Sequence, residues 1–302
     1  MNRSGSAAAP DRWRRRALLA LAATSVLPGC TLLPDQDHDG PDAPQALPLA
    51  KPVRTAWVFS SGGPRGFVHV GVLRALDRLG LAPDLIVGAS AGALVGSLFA
   101  AGMSARDIEN LALELEPLSM VRLAAASSAE FSGAPLAELM NRLSPVRQLQ
   151  AMPIAMACVA ARLSDRRALA FTFGDVGLAV QASAAIEGRF TPVRIRGERY
   201  VDADWVAPLP VRLAKALGAQ RVLAIDATVH LDRAPTGALR YRDGDLRKQS
   251  LVQADARLAD LVIKPDFGYW VNLSRDFREH AIGAGLRETL AMADALRALH
   301  AP

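Results

Sequence analysis

Cysteine is nearly absent: Cys30 and Cys158 are the two in 302 residues. That excludes a disulfide framework and any zinc site built on cysteine. Histidine is sparse as well. The five (His38, His69, His230, His280 and His300) are scattered, and no spacing among them fits a metal ligand set. Aromatic residues make up 5% of the chain, so Ala and Leu must supply most of the core. An excess of one charge is also missing beyond the N-terminus. The formal net charge is +5, but residues 1–29 hold five arginines and one acid, and without them 30 basic residues stand against 29 acidic ones. That near balance gives no electrostatic case for a nucleic-acid partner. No Lys-Ser/Thr pair follows the glycine-rich stretch, and no dinucleotide fingerprint with a placed acid occurs, so no cofactor is expected.

What is present begins with a short apolar run, Ala17 to Val26, behind a basic stretch, Arg12 to Arg16. Ten residues are too few for a stable membrane span. The order of basic stretch, apolar run and Leu27-Pro28-Gly29-Cys30 resembles a bacterial lipoprotein signal. It implies a signal peptide over 1–29, lipidation of Cys30, and a protein anchored in the cell envelope, facing the periplasm from the outer membrane. Cys158 then remains the single thiol, in an apolar strand candidate at Ile154 to Ala161, where it reads as a small buried hydrophobe.

Thr31 to Pro52 holds five prolines and four aspartates. Residues 30–53 therefore read as a flexible tether, with order beginning near Thr55. Asp35, Asp37 and Asp39 imitate the start of a calcium loop, but its twelfth position is Ala46, not Glu, and a solvated acidic linker is expected. One domain should follow, a core over 54–218 continued by 219–302. Strands are expected at Thr55 to Ser60, Asp84 to Val87, Ile154 to Ala161, Ala168 to Phe173, Gln220 to Ile225 and Leu261 to Lys264. Helices are expected at Phe67 to Leu79, Ala91 to Ala101 and Ala105 to Glu116, the last capped by Ser104 with Asp107, and a helical tail at Arg275 to Leu299. Thr191 to Val201 reads as a hairpin turning at Arg196-Gly197-Glu198. Asp232 to Lys248 reads as an exposed charged loop whose five basic residues could meet lipid headgroups or simply be solvated.

The chemistry concentrates in Gly88-Ala89-Ser90-Ala91-Gly92, a G-x-S-x-G pattern between a strand candidate and a small-residue helix. In that context the serine is pushed out of a strained turn at a helix N-terminus, the geometry of an acyl hydrolase nucleophile. Side chains at Gly88 or Gly92 would meet neighbouring backbone.

Upstream, Ser61-Gly62-Gly63-Pro64-Arg65-Gly66 resembles the G-G-G-x-R-G oxyanion loop of patatin-like phospholipases, and the serine pentapeptide resembles their nucleophile elbow. Tyr200-Val201-Asp202-Ala203-Asp204, with Pro208-Leu209-Pro210-Val211 after it, resembles their D-G-A/G segment, and Ala182-Ser183-Ala184-Ala185-Ile186 the run before it. The resemblance implies a three-layer α/β/α domain with a mostly parallel central sheet. It implies hydrolysis of lipid carboxylic esters, phospholipid or lysophospholipid among them, by a Ser–Asp dyad through an acyl-enzyme. Ser90 would be nucleophile, Asp202 the proton acceptor, and the amides of Gly62, Gly63 and Arg65 the oxyanion hole. Ser61 and Ala203 replace glycines of the pattern. Ser61 should still lend its amide, and Ala203 is tolerable only where φ is negative. Other readings stay open at this point: Asp204 as the base, a Ser-Asp-His triad using Asp226 with His230 or His280, and a catalytically degenerate lipid-binding lipoprotein. The Arg65 side chain could lock its loop or pair with a lipid phosphate.

Overall fold

The computed structural model describes residues 36–124 and 129–301. Five parallel strands form the centre of the sheet: β2 (Thr55–Phe59), β3 (Leu85–Ala89), β6 (Ala155–Arg162), β10 (Arg221–Ile225) and β11 (Leu261–Ile263). Their order is β6-β3-β2-β10-β11. Two short strands, β4 (Arg122–Leu123) and β5 (Phe131–Ser132), pair antiparallel apart from this sheet, and beyond β6 the sheet itself turns antiparallel through β7 (Ala168–Phe171) and the hairpin of β8 (Val193–Ile195) and β9 (Glu198–Asp202). Arg196 and Gly197 both take positive φ, 52° and 79°, which the tight turn at the expected position requires.

Alternate residues of each central strand feed two separate cores. Trp57, Phe59, Ile86, Leu223 and Ile225 face one; Ala56, Val58, Val87, Val222 and Ala224 face the other. Strands buried on both faces are unbroken apolar runs in the sequence. The first face is covered by α1 (Phe67–Arg78), α2 (Ala91–Ala100), α3 (Ala105–Glu114), α4 (Ala134–Leu143) and α5 (Val176–Ser183). The second is covered by α6 (Val211–Ala216) and α7 (Arg242–Ala256). The C-terminal tail is two helices, α8 (Arg275–Ala291) and α9 (Ala293–His300), parted at Met292. Trp57 Nε1 donates to His300 Nε2 at 2.9 Å and ties α9 to the sheet.

Two expectations are corrected. Residues 36–53 are not a free tether. Asp37–His38 pairs in parallel with β8 as strand β1, Gln45 bridges Phe173, and Thr172 Oγ1 bonds both backbone groups of Leu47. Composition rules out a core of its own there, but not backbone pairing that covers a sheet edge. Asp37, expected in a solvated acidic linker, instead accepts the Gly197 N–H at 3.0 Å and lies near Arg194. Second, the charged stretch 232–248 is not all loop, because α7 starts at Arg242. With Val252 and Asp255 its buried positions, α7 has too little apolar content to announce a helical stripe. Cys30 and the lipoprotein signal lie outside the described residues.

Candidate active site

Ser90 follows β3 directly and is the N-cap residue of α2, at φ 53° and ψ −118°. Such a conformation in a residue other than glycine is strained by about 1–3 kcal/mol and must be held by its surroundings. Three glycines make the turn possible. A Cβ at Gly88 would lie 2.5 Å from the Gly92 carbonyl, one at Gly92 would lie 2.4 Å from the Phe59 carbonyl, and one at Gly66 would lie 2.4 Å from Ala91 Cβ.

Asp202 closes β9. It is 6% exposed, as is Ser90, and its carboxylate lies near enough to the Ser90 side chain for that hydroxyl to favour its charged form. Burial first, and the nearby Asp204 charge after it, raise the Asp202 pKa to about 7, against the opposing pull of the Ser90 side chain, the Asp204 N–H and the Lys248 ammonium. A carboxylate so placed can hold a proton near neutral pH, which one in water cannot.

The run 182–186 ties the two together, a role that sequence reading did not assign. Ser183 Oγ accepts the Ser90 N–H at 2.9 Å and donates to the Val159 carbonyl, while the Ala185 carbonyl accepts the Asp202 N–H at 2.9 Å. One short segment at the end of α5 thus fixes the backbone of both residues. The clue was the serine itself, a polar residue at full burial in an alanine run.

The glycine loop becomes a single 3-10 turn, Gly63–Gly66, running into α1. The Gly62 and Gly63 amides have no acceptor among the described residues, and Gly63 sits at φ 53°. Two expectations fail here. The Arg65 N–H donates to the Gly62 carbonyl at 3.1 Å, and the Ser61 N–H to the Pro208 carbonyl at 2.8 Å, so neither amide is left for an oxyanion. The Arg65 guanidinium bonds the Tyr269 carbonyl at 3.3 Å, the loop-locking role. Ala203 is not among the residues at positive φ, so the missing glycine introduces no backbone strain there.

A chain match decides the family at this point. The sequence profile described as patatin-like phospholipase matches residues 57–215, more than half of the 302. The chain belongs to the patatin-like phospholipase family. An NTE family protein of Mycobacterium tuberculosis, itself described as uncharacterised, is 30% identical over 191 residues, covering 61% of this chain and 52% of the relative. Patatin-like phospholipase domain-containing protein 6 of Homo sapiens is 28% identical over 181 residues, 57% of this chain and 13% of that one. The chain thus spans about half the length of the mycobacterial relative and a small part of the human one. VipD from Legionella pneumophila superposes with a TM-score of 0.60 at 15% identity, covering 82% of this chain and 68% of VipD, a likeness of fold. Family membership supports a lipid hydrolase.

Other readings lose their footing around this patatin-like site. Asp204 Oδ1 is taken by the Ser61 hydroxyl and by Lys248 Nζ. Asp226 pairs with Lys264 at 3.1 Å, His230 Nε2 lies against the Lys264 carbonyl at 3.3 Å, and His280 is exposed on α8. His69 is fully buried beneath the glycine loop, with Nε2 bonded to the Ser60 carbonyl at 2.9 Å and its ring edge-on to Phe59. Burial pushes its pKa down to about 4. Between that value and the ordinary 6.5, the unfolded chain binds a proton that the folded one excludes. His69 therefore supports stability above pH 6.5, and its contribution falls as pH drops toward 4, by about 3 kcal/mol in all. Asp202 slopes the other way, so the test is a difference. Urea unfolding of wild type minus His69→Asn, followed from pH 7 to pH 4.5, should shrink by that order, and a difference flat in pH would refute the assignment.

An apolar cavity of about 350 Å³ opens at Ser90 and runs between α1, α2 and α3. Val70, Leu94, Leu98, Ile108 and Phe190 are among its lining, together with Gly63, Pro64 and Ser90.

Proposed function

We propose that this protein hydrolyses carboxylic esters of lipids through a Ser90–Asp202 dyad and an acyl-enzyme. The observation that carries the reading is a strained serine beside a buried carboxylate, with the serine lining an apolar cavity. The Ser90 hydroxyl attacks the ester carbonyl carbon as Asp202 takes its proton. The oxygen, now negative, is held by the Gly62 and Gly63 amides, whose donors are fixed before reaction. Collapse breaks the bond to the alcohol, and Asp202 returns the proton to it. Water then attacks the acyl carbon as the same carboxylate takes its proton; the bond to Ser90 Oγ breaks, Asp202 returns the proton to that oxygen, and the fatty acid leaves. The cavity takes the acyl chain: a buried methylene contributes about 0.8 kcal/mol, so a long chain binds more tightly than a short one. Phospholipids and lysophospholipids are the substrate class. Purified protein should release free fatty acid from a lysophospholipid, with kcat/KM on p-nitrophenyl esters rising from acetate to octanoate. No turnover of any ester by folded protein would defeat the proposal.

We also propose an envelope location through lipidation of Cys30, on the strength of Leu27-Pro28-Gly29-Cys30 behind its apolar run. Several acyl chains together hold a protein on a membrane where one is marginal. Cys30→Ser should move the protein from the membrane fraction to the soluble fraction with its esterase activity intact. Mass spectrometry showing an unprocessed Met1 on wild-type protein would remove the claim.

A further inference from the structure

Three side chains around the dyad come from separate segments and meet at one carboxylate. Ser61 lies just before the glycine loop, Asp204 two residues past Asp202, and Lys248 midway along α7. The Ser61 hydroxyl donates to Asp204 Oδ1, and Lys248 Nζ donates to the same oxygen at 2.5 Å. The Asp204 N–H in turn donates to Asp202 Oδ1 at 2.7 Å. Beside the departures at Ser61 and Ala203, the D-G-A/G segment carries Asp204 in place of a small residue, and this third departure bonds the first.

We propose that Asp204 and Lys248 are positioning residues for the Ser90–Asp202 pair: a clasp of Ser61, Asp204 and Lys248 joins the oxyanion loop, the base segment and α7, and sets the charge that Asp202 meets. This rests on the reading of Ser90 and Asp202 as the working dyad. The charges facing Asp202 are Asp204 from its own segment and Lys248 from α7. Arg65, from the loop, faces Asp204, with Asp245 and Tyr269 behind it, the Tyr269 hydroxyl donating to Asp245 at 2.6 Å. Asp204 opposes ionisation of Asp202 and Lys248 favours it, so the two pull the base in opposite directions. A purely structural clasp has no such antisymmetry, because losing either end would loosen the loop in the same sense. The arrangement also makes the reaction answer to α7, because Lys248 lies on that helix and its ammonium reaches the carboxylate next to Asp202. Lys248 and Asp204 are each partly exposed, so isosteric replacement need not unfold the domain.

The test is the pH profile of kcat/KM on a soluble p-nitrophenyl ester, using the full chain. Activity should rise with pH as Asp202 loses its proton. Lys248→Met should move that acid limb to higher pH, and Asp204→Asn to lower pH, each by about one unit, the scale of a neighbouring charge. Lys248→Arg should restore the wild-type limb. Thermal melts of each variant show whether it is folded, and Asp204→Asn carries the test alone should Lys248→Met prove unstable. Limbs that stay in place, or that move in the same direction, overturn the clasp. Ser90→Ala and Asp202→Asn run beside them. If those two are inactive while the limbs stay fixed, the clasp alone falls; if they keep turnover, the dyad falls and the clasp with it.

Discussion

Ser90→Ala should lower kcat/KM on any ester by about 10⁴, and Asp202→Asn by about 10³ or more, with the double variant scarcely worse than Ser90→Ala alone. A pair that works as one unit loses its function once, not twice. The residual rate would come from the Gly62 and Gly63 amides and from the cavity, which neither substitution touches. Asp202→Asn should leave the fold intact, since an amide oxygen can still accept the Asp204 N–H. It should in fact stabilise the protein at neutral pH. A carboxyl whose folded pKa is raised to about 7 is neutral and harmless at low pH. Stability is lost as pH climbs from the unfolded value near 3.8 through 7, and the full loss persists above it. Asparagine carries no such dependence. The melting temperature of Asp202→Asn minus wild type should therefore grow from pH 4 to pH 8, an outcome that needs no assay of activity. Near-wild-type turnover by Asp202→Asn would sink the dyad, and loss of activity in His230→Ala would favour a triad.

Legibility in the sequence followed local chemistry. The elbow, the first three helices and the central strands were readable because each is set by neighbours in the chain: apolar runs, Gly80 after α1, and the Ser104 cap of α3, whose Oγ accepts the Asp107 N–H at 3.1 Å. The family membership and the α/β fold were legible from the same motifs. The helices α4, α5 and α6 were not assigned, since two of them are only eight and six residues long and rest on packing rather than propensity. The fates of the Ser61 and Arg65 amides were hidden for another reason. Ser61 bonds across 147 positions to Pro208, and Arg65 turns on whether a three-residue loop closes on itself. The edge strap at 36–50 was misread because composition speaks to core formation and says nothing of backbone pairing. Lys248, lost in a run of charges, could be singled out only once Asp204 lay opposite it.

Gly71→Ala should destabilise the protein by about 3 kcal/mol or more, a large effect for one methyl group. Gly71 sits on α1 where that helix crosses α8, and an added Cβ would lie 1.9 Å from the Ile282 carbonyl oxygen and 2.8 Å from the Leu286 nitrogen. Both are helix backbone, which cannot rotate away as a side chain can. The contact is mutual, because a Cβ at Gly285 of α8 would lie 2.3 Å from the Val68 carbonyl of α1, so Gly285→Ala should do comparable harm. The helices would have to part, and α1 is the helix into which the glycine loop runs, so the Gly62 and Gly63 amides proposed for the oxyanion would move with it. Gly244 supplies the contrast. It lies in α7 with nothing within 4 Å of an added Cβ, so Gly244→Ala should gain about 0.4–1 kcal/mol by restricting the unfolded chain. Urea midpoints measure all three. Gly71→Ala unfolding at the wild-type midpoint would mean that α1 and α8 do not meet as closely as their backbones are placed here, and the support of the oxyanion loop would have to be sought elsewhere.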